Sequence, residues 1–207
     1  MKKILLTLDT LLNLGDNMEY VDKILEKFNF KQYESFNVKQ IKKEILALEE
    51  HHWLKDTSRQ DVFYTHKDTQ SYFLYQTNLY WVRGAEYSYN KVSDNQVLLD
   101  LTEPIIKYLE ELHKGQRGQV LFIKLPGKKN IPKHHDDGEY LMTGRRHHIP
   151  IITNKKTNFG VSREFVNMQE GQCWEINNAK NHSVENNGTT DRIHLLIDIM
   201  PNEFIKQ

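Results

Sequence analysis

Apolar residues recur at i, i+3, i+4 and i+7 through Val21, Ile24, Leu25 and Phe28, and at spacings of four, three and four through Ile41, Ile45, Leu48 and His52, which predicts two short amphipathic helices. A third helix is expected over 102–114. Thr102 suits a cap and Pro104 the first turn, Ile105, Ile106, Leu109 and Leu112 form the apolar stripe, and Gly115 stops it. Between these helices, residues 62–90 scatter Phe63, Tyr64, Tyr72, Phe73, Tyr75, Tyr80, Trp81, Tyr87 and Tyr89 among polar positions, a pattern of strands and loops. Such a cluster serves either as core or as a stacking surface for a ligand.

Beyond Gly118 the pattern shortens. Apolar runs at Val120–Leu125, His148–Thr153, Cys173–Ile176 and Ile193–Met200 each end at turn residues: Pro126-Gly127, Asn154, Asn177-Asn178 and Pro201. Four or more short strands at this spacing predict a mainly β chain folded as a sandwich or jelly roll. The expected organisation is a helical, aromatic-rich extension over 1–101 packed on a β core over 102–207. No internal repeat or low-complexity linker divides the chain.

Composition narrows the function. The 207 residues hold 28 Lys plus Arg against 28 Asp plus Glu, so no overall positive field gathers nucleic acid or an anionic membrane. No stretch approaches the roughly 20 apolar residues of a membrane span. Lys2 and Lys3 before an apolar run resemble a secretory leader, but Asp9 interrupts the run and no small-residue cleavage site follows Gly15. Cys173 is the single cysteine, so an intramolecular disulfide is impossible and a cytoplasmic location is expected.

Six of the ten histidines lie between 134 and 194, where even scattering would put about three. In IPKHHDDGEY, His134 and Asp136 are two apart, so on a strand they project from one face and can share a cation. His135 and Asp137 repeat the spacing. His182, 48 residues on, is far enough along to return on a neighbouring strand. Two imidazoles and one carboxylate on one face of an octahedral ion leave open positions, a donor set suited to non-haem Fe(II) oxygenases.

Arg192 begins RIHLLIDIM, where Ile193, Leu195, Ile197 and Ile199 alternate, so Arg192 and His194 share the opposite face. An inward guanidinium needs an anion, because an unpaired buried charge is strongly unfavourable. Its planar fork matches a carboxylate. Arg146 and His148 likewise share a face, and a structural pair of Arg192 with Asp198 is the competing reading.

These pieces, taken in order, resemble the aspartyl/asparaginyl β-hydroxylase-like family of Fe(II)- and 2-oxoglutarate-dependent dioxygenases, which includes free-proline hydroxylases. They are Ile131 followed by His134-x-Asp136-x-Gly138, then Arg146-x-His148, Trp174-Glu175-Ile176-Asn177-Asn178 leading to His182, and Asp191-Arg192-Ile193-His194-Leu195. Gly138 falls in the family position when His134 and Asp136 are chosen. The resemblance implies a double-stranded β-helix, with His134, Asp136 and His182 as iron ligands. It also implies Arg192 on the distal carboxylate of 2-oxoglutarate, with Arg146 and His148 as auxiliary cosubstrate contacts. The implied reaction couples conversion of 2-oxoglutarate and dioxygen to succinate with hydroxylation of an aspartyl or asparaginyl residue in a peptide, or of a free amino acid such as proline. A non-catalytic jelly-roll module holding a structural metal is the rival, although structural zinc sites are usually closed. With no other chemistry assigned to it, the aromatic segment 62–90 is expected to wall the site, with Tyr80 and Trp81 exposed.

Overall fold

The computed structural model describes Lys23 and residues 26–205. The helix expected through Val21, Ile24 and Leu25, and the leader-like amino terminus, fall outside these residues. Eleven strands are described: β1 (Phe30–Ser35), β2 (Gln70–Thr77), β3 (Tyr89–Lys91), β4 (Gly115–Leu125), β5 (Asn130–His134), β6 (Arg145–Ile152), β7 (Thr157–Val161), β8 (Glu164–Val166), β9 (Gln172–Ile176), β10 (His182–Asn186) and β11 (Arg192–Pro201). Helices α1 (Lys39–Leu46), α2 (Glu50–Trp53) and α3 (Ser58–Val62), with a 3-10 turn at Tyr64–His66, precede β2. Helix α4 (Gln96–His113) precedes β4, and α5 (Glu139–Thr143) follows β5.

The strands form two antiparallel sheets, a seven-stranded one ordered β1-β9-β6-β11-β4-β2-β3 and a four-stranded one ordered β5-β10-β7-β8. This is the expected mainly β double-stranded β-helix, or jelly roll. The alternation in β11 explains how the large sheet is covered. Ile193, Leu195, Ile197 and Ile199 join Ile41 and Ile45 of α1 and Ile105, Ile106 and Leu109 of α4 in one core on the helical side. A second core, including Leu125, Ile131, Phe159, Ile176 and Val184, fills the space between the sheets. Residues 192, 194, 196 and 198 therefore face the small sheet, and every position of β11 is buried.

Three elements depart from expectation. The helix expected through His52 is interrupted: Ala47 and Leu48 close tight turns onto Lys43, Glu44 and Ile45, and Glu49 is extended, so α2 restarts and buries Trp53. Helix α4 starts at Gln96, because Asn95 accepts a hydrogen bond from the Leu98 amide and caps it; Thr102 instead donates to the Leu98 carbonyl inside the helix. At its other end Lys114 takes the left-handed conformation. Gly115 then begins β4, where an added Cβ would lie 2.5 Å from the Met200 carbonyl oxygen. The division expected at 101/102 thus runs through a helix, and β1, β2 and β3 belong to the main sheet.

The aromatic segment divides between core and surface. Tyr72 joins the helical-side core, while Trp81 and Tyr87 pack edge to face with centroids 5.9 Å apart, in a cluster with Tyr140 and Met200. Trp81 is buried, contrary to expectation, and Tyr80 is 84% exposed. Trp81→Ala should therefore destabilise the protein by about 3–5 kcal/mol, whereas Tyr80→Ala should stay within about 0.5 kcal/mol of the parent, both measured by urea unfolding.

Candidate active site

Strands β5 and β10 pair so that His134 and His182 are direct cross-strand partners, a register that lets facing side chains meet. Their rings lie 4.2 Å apart, and each Nε2 approaches Asp136 Oδ1, at 3.9 Å from His134 and 3.8 Å from His182. The ligand atoms of the three residues all fall within 4.8 Å of one another. His135 and Asp137 are exposed, which sets the register of the repeated spacing.

The surroundings fix which atom each residue presents. His134 Nδ1 lies 2.8 Å from the Pro132 carbonyl oxygen and His182 Nδ1 lies 3.0 Å from that of Lys180. Each Nδ1 is therefore the donor and each Nε2 keeps a lone pair toward the shared space. Asp136 Oδ2 accepts from Arg146 at 2.6 Å and from Asn178 at 2.9 Å, leaving Oδ1 for the imidazole side. Burial pushes the Asp136 carboxyl up, but Arg146, the imidazole of His182 and the Asn178 amide hold it well below the usual carboxylate range. Burial lowers His182 to about 4, against the pull of Asp136. Two neutral imidazoles and one ionised carboxylate are the protonation states that bind a divalent ion.

Arg146 has partners other than the expected cosubstrate contact. Its Nε and Nη2 donate to the two oxygens of Asp198, its cross-strand partner on β11, and its Nη1 donates to Asp136. Asp198 therefore pairs with Arg146 and not with Arg192.

Arg192 is 1% exposed and has no acidic partner among the described residues. Its Nη2 lies 2.7 Å from His194 Nδ1. A guanidinium can only donate, so His194 accepts at Nδ1 and carries its proton on Nε2. That Nε2 and Arg192 Nε are both buried without a partner, as is Nδ1 of His148. Phe159 lies beneath this group, 5.8 Å from the Arg192 guanidinium and 5.0 Å from the His148 ring. Burial lowers Arg192 to about 9 and holds His148 and His194 well below the usual histidine range. Arg192, His148, His134 and His182 line one cavity, and Arg59 and His66 line it too. None of the nine aromatics of 62–90 does.

Sequence reasoning missed Asn178, Asp198 as the partner of Arg146, and both Arg59 and His66. A second trio, His113, His147 and Glu175, meets on the opposite face of the main sheet. There Tyr33 donates to Glu175 at 2.6 Å, Arg145 pairs with it, and the two imidazoles share a 2.9 Å contact, so these polar groups satisfy one another.

The family profile described as aspartyl/asparaginyl beta-hydroxylase matches residues 35–201, which takes in every strand from β2 to β11, the trio around Asp136 and Arg192. The chain belongs to this family. It is an oxidoreductase, a hydroxylase of the Fe(II)- and 2-oxoglutarate-dependent oxygenase type, and the His134–Asp136–His182 donor set fits Fe(II) with 2-oxoglutarate and dioxygen. Solved structures share the fold at low identity. An oxidoreductase of the 2OG-Fe(II) oxygenase family from Burkholderia pseudomallei aligns at 11% identity and TM-score 0.52, covering 91% of this chain and 94% of that one. The viral collagen prolyl hydroxylase of Paramecium Bursaria Chlorella virus-1 aligns at 6% and 0.52, covering 84% and 97%. HygX from Streptomyces hygroscopicus, solved with nickel, 2-oxoglutarate and hygromycin B, aligns at 10% and 0.50, covering 88% and 86%. Among curated proteins none matches the chain. Among the described residues no helix is long and apolar enough to cross a membrane.

Two outcomes follow for this β-hydroxylase family member. Arg146→Met leaves Asp136 and Asp198 buried without their shared cation, so unfolding free energy should fall by about 3–5 kcal/mol and metal affinity by about 10- to 100-fold, read by denaturation and metal titration. Unfolded His182 takes up a proton near about pH 6.5, whereas in the fold it does so only near 4. The unfolded state thus binds more protons between these values, and stability of the metal-free protein should fall as pH drops from about 6.5 toward 4. Replacing His182 by Gln should flatten that part of the slope in urea unfolding followed across pH.

Proposed function

We propose that His134, Asp136 and His182 hold one Fe(II), that Arg192 and His194 receive the distal carboxylate of 2-oxoglutarate, and that the chain hydroxylates an aspartyl or asparaginyl residue in a peptide or a free amino acid such as proline. The observation that carries this reading is Arg192, a buried guanidinium with no acid partner among the described residues, lining the same cavity as His134 and His182, whose ligand atoms cluster with that of Asp136. When bound, the iron supplies activation of dioxygen coupled to oxidative decarboxylation of 2-oxoglutarate.

The protein's own groups orient and exclude. The Pro132 and Lys180 carbonyls hold both ring protons on Nδ1, so His134 and His182 keep Nε2 free for the metal. Arg146, which also lines the cavity, positions Asp136. Arg192 Nε, His194 Nε2 and His148 Nδ1 are buried with no partner among the described residues and are the groups available to that carboxylate. Phe159 and Leu196 keep water from this end of the cavity. The chemistry is carried by residues 102–207, and substrate selection by the part of the chain before them. A cytoplasmic location is part of this reading and rests on the sequence having a single cysteine, Cys173.

Anaerobic addition of Fe(II) and then 2-oxoglutarate should produce a metal-to-ligand charge-transfer band. Its absence would show a non-catalytic metal module. His182→Ala should abolish the band, and Arg192→Lys, which keeps the charge but loses the fork, should raise the 2-oxoglutarate concentration needed by roughly ten- to a hundred-fold. Unchanged cosubstrate affinity in Arg192→Lys would remove Arg192 from the role.

A further inference from the structure

The cavity has a second cationic wall, contributed by α3 and the 3-10 turn and unused by the chemistry above. Arg59 Nη2 lies 3.1 Å from His66 Nε2. Because the guanidinium donates, His66 accepts at Nε2 and carries its proton on Nδ1. That Nδ1 and Arg59 Nη1 are both buried with no partner, and no acid pairs with Arg59 among the described residues. The His66 ring meets the His134 ring edge-on with centroids 5.3 Å apart, which sets the pair beside the metal-ligand trio.

The arrangement repeats the one on β11. In each, a guanidinium donates to an imidazole, and one N–H of each partner is left buried and unanswered. The two arginines also oppose each other. Burial and then Arg146 lower Arg59 to about 9, and burial and then Arg59 lower Arg192 to about 9. Two like charges that line one cavity without acid partners among the described residues call for anions. 2-Oxoglutarate brings two carboxylates, and the proposed function places one at the metal and one on Arg192 and His194. Arg59 and His66 remain for a third.

We infer that Arg59 and His66 form a second carboxylate receptor, which binds a carboxylate of the substrate. The substrate is then an amino acid or peptide with a free carboxylate near the reacting carbon, and an asparaginyl residue inside a peptide is disfavoured. The receptor is read from the geometry of Arg59 and His66, and its assignment to the substrate rests on the proposed function.

The test uses the full chain loaded with Zn(II), with trifluoroacetate as a carboxylate probe followed by ¹⁹F NMR and trifluoroacetamide as the neutral control. Without 2-oxoglutarate the probe is expected at the metal, at Arg192 with His194 and at Arg59 with His66; with 2-oxoglutarate only the last site persists. Arg59→Met and His66→Phe should each weaken the site that persists by at least tenfold, with Arg59→Lys intermediate because it keeps charge without the fork. Arg59→Met should unfold no earlier than the parent in anion-free buffer, since it removes an unpaired buried charge; if it fails to fold, the other two variants decide. Absence of a persisting site, its displacement by 2-oxoglutarate, or its indifference to the variants would overturn the inference. Loss of the Fe(II)/2-oxoglutarate charge-transfer band with the probe site intact would instead overturn the proposed function and leave the receptor standing.

Discussion

One guanidinium joins the two sheets. Arg146 leaves the large sheet with two donors on Asp198 beside it and one on Asp136, in the loop that continues from the small sheet. Tyr140 donates to Asp198 and accepts from the Gln119 amide, so the chain of polar contacts runs on into the backbone of β4. Two carboxylates on one cation leave a net negative charge in a buried place, and Asp136 Oδ1 is where it faces open donors. A divalent ion there would complete the charge balance that Arg146, Asp136 and Asp198 leave unfinished among themselves.

Across the cavity the imbalance has the opposite sign. Among the described residues Arg59 and Arg192 have no acid partner, and the imidazoles attached to them accept from the guanidiniums instead of supplying negative charge. The cavity is therefore electrostatically polarised, negative at the Asp136 end and positive at the far walls. Anything that binds with a matching distribution of charge stabilises the folded state by mass action as well as occupying the site. Such preorganisation is what a site for multiply charged small molecules needs, since its dipoles and charges do not have to be rearranged when ligands arrive.

The parts of this structure legible in the sequence were those carried by period. Alternation in β11 placed Arg192 and His194 on one face and four aliphatic residues on the other. The two-residue spacing of His134 and Asp136 predicts one face of a strand, but β5 ends at His134, and the loop that follows brings Asp136 to the trio, where its amide donates to the Asn178 carbonyl. The small sheet was harder to read: β7, TNFGV, and β10, HSVEN, are short, mix polar with apolar residues, and take their strand character from pairing with each other. Arg146 and Asp198 stand 52 positions apart and meet only because β6 and β11 pair in one particular register, which no local pattern encodes. Arg59 and His66 lie in a short helix and a 3-10 turn whose sequence looks like a surface loop. Their role follows from where the chain carries them. The aromatic cluster misled for a related reason, since burial of Trp81 depends on Tyr140 and Met200, both remote in sequence.

The strand order has a consequence beyond the site. Strands β9, β6, β11 and β4 carry or support the chemistry, and they are flanked by β1 on one side and by β2 and β3 on the other. Take the flanking strands away and β4 becomes an edge of eleven residues, nine of them buried at present, with a row of unsatisfied amides and carbonyls along it. Such an edge is a template for pairing with another chain. The short, exposed β3 closes this side with three residues, all polar or amphipathic. The upstream strands thus keep β4 from being an edge, and the sheet that backs His134, Asp136 and His182 is completed by the part of the chain before it.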